Sequence, residues 1–200
     1  MLRKYNLEIM TAIFFGVMTF CSVFVKDLSL IQRIMLGYMF LYTLHEWEES
    51  RFPGGFMDLM AKFFGVRISS EQAAVSHIPV AVFLLVIMLV PFFTQLPILA
   101  LVPVYLGLFE MFIHIAGIRI HRMKKPYTPG MITGIILGIV SAAVLITFSK
   151  ERLLSGSGYA WGALITILCF VAMQRTVLAI YGLSYKSVMT NVKNKLGRSL

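Results

Sequence analysis

The residues richest in chemistry stand together at positions 45–49, His-Glu-Trp-Glu-Glu, directly after an apolar run. One imidazole and three carboxylates within five residues is a dense cluster for a chain with four histidines and nine acids. On a helix His45 shares a face with Glu48 and Glu49, three and four residues on, while Glu46 and Trp47 point elsewhere. Imidazole nitrogen with carboxylate oxygen suits a divalent metal: Zn²⁺ first, Fe or Mn as alternatives, and not Ca²⁺. Written as His-x-x-Glu-Glu, the stretch has the ligand spacing of the inverted zinc-peptidase motif, with Glu49 as second ligand and Glu48 as general base. Written as His-Glu-x-x-Glu, it imitates the ordinary zinc-peptidase helix with Glu46 as base, and the sequence leaves both open. The plain alternative is a polar helix end whose acids meet Arg51 and water.

A second ridge repeats the donor types. Glu110, His114, Gly117 and His121 are spaced i, i+4, i+7, i+11 and fall on one helical stripe. His77, beside Ser76 and Pro79 near a helix start, is a further candidate ligand, with an interfacial role as its alternative. Arg175 is placed to neutralise one more charge or to hold an anionic group of a substrate. For Glu110 and His114 the competing explanation is a buried polar pair that locks two membrane helices together. His121 borders the basic run Arg119 to Lys125, where a solvated or phosphate-facing role competes with metal binding.

The elements that must position these groups are membrane spans. A chain of 200 residues that is 58% hydrophobic and 14% charged, with a mean hydropathy of +0.83, has the composition of an integral membrane protein. Crossing takes about 20 apolar residues, and six stretches qualify: Leu7 to Val25, Leu30 to Trp47, Val75 to Phe93, Ile98 to Ile118, Pro129 to Phe148 and Tyr159 to Gly182. With both termini cytoplasmic, most lysines and arginines fall inside, which accounts for the net charge of +9 without nucleic acid. Arg3 and Lys4 precede a retained first span rather than a cleaved leader. Cys21 and Cys169 lie singly in apolar runs and form no metal knot or disulfide framework. After the break at Pro53-Gly54-Gly55, apolar residues at helical spacing from Phe56 to Phe64 predict a short interfacial helix. Thr128-Pro129 predicts the capped start of the fifth span. The expected fold is therefore all-α: an integral membrane helical bundle of six transmembrane helices plus one short interfacial helix. It forms a single domain over 1–185, with a basic cytoplasmic tail over 186–200.

This topology puts His45, Glu48, Glu49, His77, Glu110, His114 and His121 in one layer near the cytoplasmic ends of spans two, three and four. Arg175, two turns from the end of span six, reaches the same layer. The expected site is a His/Glu metal centre between spans two and four, with His45, Glu49, Glu110, His114 and His77 as ligands and Glu48 and Arg175 in catalytic roles.

These residues resemble the HXXEE-motif family, small bacterial multi-span membrane proteins without an established activity. The pentapeptide His45-Glu46-Trp47-Glu48-Glu49 carries the resemblance. So does a later block from Glu110-Met111-Phe112-Ile113-His114 to Pro126-Tyr127-Thr128-Pro129-Gly130. The likeness runs over roughly Leu30 to Gly182, implies a bacterial inner membrane, and singles out His45, Glu48, Glu49 and His114. The double glutamate is also similar to that of the intramembrane prenyl-proteases. There, three residues separate the second glutamate from an arginine, where Glu49-Ser50-Arg51 has one. The expected activity is metal-dependent hydrolysis of a lipid, lipid-linked or membrane-peptide substrate at the cytoplasmic leaflet. A metal-dependent oxidation, a proton- or cation-coupled transporter and a non-catalytic scaffold are the alternatives.

Overall fold

The computed structural model describes residues 5–188, 190 and 193, and most of the expected basic tail lies outside the described residues. Among the described residues seven long or fully bounded helices follow one another, α1 Asn6–Phe24, α2 Leu30–Ser50, α3 Phe56–Phe64, α4 Ser70–Thr94, α5 Pro97–Ile120, α6 Met131–Lys150 and α7 Gly156–Ile180, and the chain is helical again from Tyr185. No strand occurs among the described residues.

Local sequence sets the helix ends. Ser29 and Ser69 open α2 and α4 with reciprocal capping boxes to Gln32 and Gln72. Pro97 starts α5 at a position where its missing N–H costs nothing. Gly65, in the left-handed region, ends α3. At α6 the structure departs from the expected Thr128 cap. Gly130, at φ +88°, is the N-cap and supplies no side chain, because the Thr128 hydroxyl is committed to His114.

Contacts between helices fix their relative directions. Near the start of α1, Glu8 pairs with Arg51 and Thr11 accepts from the Trp47 indole, so α1 and α2 are antiparallel. The start of α4 meets the end of α7 through Gln72 to the Ile180 carbonyl and Tyr181 to Ser76. Tyr38 bonds Ser141, and His45 meets Thr133, so α6 runs against α2. The Tyr42 hydroxyl donates to the Pro103 carbonyl, placing α5 beside α2 in parallel. The six long helices thus alternate in direction. One end of the bundle gathers the start of α1, the end of α2, α3, the starts of α4 and α6, and the ends of α5 and α7.

Five of the helices, α1, α4, α5, α6 and α7, are long and apolar enough to cross a membrane. The remaining long helix, α2, carries Arg33 and the acidic pentapeptide, and its polar groups are turned inward: Tyr38, Tyr42, Thr43, His45, Glu46 and Glu48 are all buried. It contacts α1, α3, α4, α5 and α6, so its surroundings are mostly protein rather than solvent or lipid. The short α3 lies across the shared end. Phe56 packs on His114 with ring centroids 5.8 Å apart, Phe63 on His121 at 5.1 Å, and the Met57 sulfur lies 3.7 Å from the Tyr181 hydroxyl oxygen.

Candidate metal centre

Because α2 and α5 run parallel, their two donor ridges end at the same depth. His45 and Glu49 from α2 meet Glu110 and His114 from α5, and one donor atom from each lies within 4.8 Å of every other, a group that could hold a metal ion. Nε2 of His45 is 3.6 Å from Glu49 Oε1 and 3.6 Å from Glu110 Oε2. Nε2 of His114 is 3.1 Å from Glu49 Oε1 and 3.6 Å from Glu110 Oε2. Both imidazoles are 2% exposed. Their rings meet edge to face, with centroids 5.2 Å apart.

Hydrogen-bond bookkeeping assigns the ring protons. The Thr133 hydroxyl has one hydrogen and donates it to Glu48 Oε2 at 2.5 Å, so it must accept from His45 Nδ1 at 2.9 Å. The Thr128 hydroxyl donates to the His114 carbonyl, which can only accept, so it in turn accepts from His114 Nδ1 at 3.1 Å. Both rings therefore carry a hydrogen on Nδ1 and turn Nε2 toward the two carboxylates. Fixing one ring nitrogen by an outer hydrogen bond is how proteins orient histidine ligands. His114 Nε2 is buried without a hydrogen-bond partner. A nitrogen lone pair facing carboxylate oxygens is stable only with a cation supplied, either a proton or a metal ion. No lysine or arginine pairs with Glu46, Glu49 or Glu110 among the described residues.

Glycine lets α6 come this close. A Cβ on Gly130 would stand 2.6 Å from Glu49 Cγ and 2.8 Å from His114 Cε1, and one on Gly134 would stand 3.0 Å from His114 Cδ2.

Glu48, expected from the sequence as the general base, is engaged at the start of α6. Its carboxylate accepts from the Tyr127 hydroxyl at 2.9 Å, the Ile132 N–H at 3.2 Å, the Thr133 N–H at 2.8 Å and the Thr133 hydroxyl. It is the N-terminal cap that Gly130 does not provide, delivered from another helix, where a carboxylate also meets the positive end of the α6 dipole. Burial and the Glu48 carboxylate push the Tyr127 phenol, in the turn before α6, up to about 12.

Glu46, expected to point away, is buried at 9% exposure and has Glu49, His45 and Glu110 as electrostatic neighbours. His77 is half-buried on α4 and is not among the four clustered residues. Arg175 is exposed on α7 and makes no ion pair among the described residues; its position on a lipid- or solvent-facing side leaves the expected catalytic role without a contact. His121 packs on Phe63 of α3, beyond the cluster. Sequence reasoning missed Thr128 and Thr133, the residues that set both imidazoles. Their only signal was their place either side of Gly130.

Helices of this length and composition, converging on a buried His/Glu cluster, define a helical membrane protein with a site fit for a metal ion. The model of the family described as "Protein of unknown function with HXXEE motif" matches residues 36–145, more than half of the chain, and the protein belongs to that family. The matched segment contains all four clustered residues together with Glu48, Thr128, Gly130 and Thr133, and stops short of Arg175. No curated protein and no solved structure matches the chain.

Proposed function

We propose that the protein is a metal-dependent membrane enzyme, a hydrolase acting on a lipid, lipid-linked or membrane-peptide substrate at the cytoplasmic leaflet. The observation that carries this reading is the convergence of two Nε2 atoms with two carboxylates, both histidines being held from behind by threonine hydroxyls. Donors about 2.0–2.2 Å from a tetrahedral ion lie about 3.3–3.6 Å from one another. The four nitrogen–oxygen separations of 3.1–3.6 Å suit that arrangement. Two imidazoles with two carboxylates favour Zn²⁺, then Fe or Mn. Such an ion would supply Lewis acidity and a nucleophilic water near neutral pH. His45, Glu49, Glu110 and His114 would hold it, while Glu48 and Thr133 keep the His45 ring in place. The Glu49 and Glu110 side chains retain 13% and 17% exposure, the opening by which a substrate would approach.

The setting belongs to the proposal as well. We take α2 as a sixth span within one domain, with both termini cytoplasmic in a bacterial inner membrane. In its favour stand the alternating helix directions and the basic residues Arg51, Lys62, Arg67, Arg119, Arg122, Lys124, Lys125 and Lys186, exposed at the site end. At the other end only Lys26, Arg33, Lys150 and Arg152 are exposed, near Asp27 and Glu151.

Element analysis of the purified full-length protein tests the metal. Bound Zn, Fe or Mn that falls to background in His114→Ala is expected. A folded protein that carries none after supplementation with each metal would sink the enzyme reading. It would favour a second one, in which imidazolium–carboxylate pairs at the same distances relay protons for a transporter.

A further inference from the structure

The four candidate ligands are covered on nearly every side. Both imidazoles are 2% exposed, and the Glu49 and Glu110 side chains open only 13% and 17% of their surface. An incoming ion or substrate group must therefore displace something that covers them. α2 and α5 carry the ligands themselves. α6 is fixed against them, because a Cβ on Gly130 or Gly134 would already crowd His114, and the Glu48 carboxylate holds the first turn of α6. α4 packs against both α2 and α5. Only α3 covers the cluster without being built into the bundle.

The sequence makes α3 separable. Its nine residues are too few for a helix to persist alone in water, so α3 exists by docking. No residue of it whose side chain is described is fully buried. Three contacts hold it: Phe56 on His114 at 5.8 Å between centroids, the Met57 sulfur 3.7 Å from the Tyr181 hydroxyl oxygen, and Phe63 on His121 at 5.1 Å. Phe56 and Phe63 are two helical turns apart, and so are His114 and His121, so one ridge of α3 follows the end of α5. The first contact covers a candidate ligand. The last lies beyond the cluster and gives His121 a role outside the ligand set. Glycines in the left-handed region bracket the helix, Gly54 at φ +73° and Gly55 at φ +98° before it and Gly65 at φ +69° after it. Backbone at such positions turns with no side chain to collide, as hinges require.

Resting on the metal-enzyme reading above, we propose that α3 is a lid over the His/Glu cluster. Docked, it lays Phe56 on His114 and closes the site. Released from His121 and Tyr181, it swings on the bracketing glycines and opens the cluster at the end of the bundle. The ion and the reacting group of the substrate enter by that route, past α3, rather than between the long helices.

A cleavable tether tests the lid. In full-length protein carrying Cys21→Ala and Cys169→Ala, Phe63→Cys and His121→Cys are joined by a short bis-methanethiosulfonate, which reductant cuts. The protein is loaded with Mn²⁺, an ion that thiols bind weakly, and its loss to excess chelator is followed by element analysis. With the tether intact, release should slow about tenfold or more, because only wider unfolding then opens the site. Cutting the tether should restore the fast rate, and Phe56→Ala should release faster than the wild type. Equal rates with the tether intact and cut overturn the lid while leaving the metal site in place. If no Mn²⁺ binds, the metal reading fails, and amide hydrogen exchange of the wild type decides the lid by itself. Residues 56–64 should then exchange as one unit, ahead of 110–118, whereas exchange of both segments at one rate overturns the lid. The same measurement decides the matter where the tethered variant does not fold.

Discussion

The Thr133 hydroxyl joins two helices and a candidate ligand, donating to Glu48 and accepting from His45. Thr133→Val removes that oxygen but keeps the branched shape and the backbone N–H bonded to Glu48. Metal affinity is expected to fall about 10–100-fold, as it does when outer-sphere partners of ligands are lost, and Thr133→Ser should restore it in chelator competition. Tyr127, the other hydroxyl on Glu48, makes a pH prediction. Its phenol is displaced upward from 10.0 to about 12, so the folded state favours the neutral form. This contribution is complete below pH 10 and is lost as pH rises through about 12. The tyrosinate absorbance change near that upper value should be smaller by one tyrosine in Tyr127→Phe than in the wild type. The sequence exposed the ligand quartet because each half repeats at i, i+4 on its own helix. It hid the role of Glu48, because spacing along α2 shows which side chains share a ridge and not which neighbour docks against it. α6 takes Glu48, and the adjacent face keeps Glu46 beside the ligands.

At the level of elements, α2 tests how far hydropathy can be read. Its polar residues disqualify it as an apolar span, yet they face other helices rather than lipid. At about 1.5 Å per residue its 21 residues run about 31 Å, enough to cross. Single cysteines at Lys26 and Phe52, both exposed positions flanking α2, should therefore react with a membrane-impermeant thiol reagent from opposite sides. Labelling of both from one side would remove α2 from the membrane. The sequence located all six long helices to within a few residues, because each is bounded by capping serines, prolines, glycines or a charge cluster. It misplaced the cap of α6, since Thr128 is as good a capping residue as any and only the packed structure shows its hydroxyl turned to His114.

For the molecule as a whole, candidate ligands on α2 and α5 mean that an ion bound there would tie together two helices that otherwise touch little, compared with the extensive contact between α5 and α6. An ion bound only by the folded state stabilises it by about 2.7 kcal/mol when its free concentration is a hundred times its dissociation constant. Chelation should therefore lower the Tm of the detergent-solubilised protein by several degrees, and the Tm of His114→Ala should not respond. The helix that begins with Gly130 carries a different consequence, for biogenesis. Its first N–H groups are satisfied by a side chain 84 and 85 positions earlier in the chain, so α6 cannot complete its own beginning as it leaves the ribosome. It must find α2, whose acids make it the segment least able to partition into lipid alone. The last step in forming the start of α6 is thus a docking event with α2, and the His/Glu cluster closes where they meet.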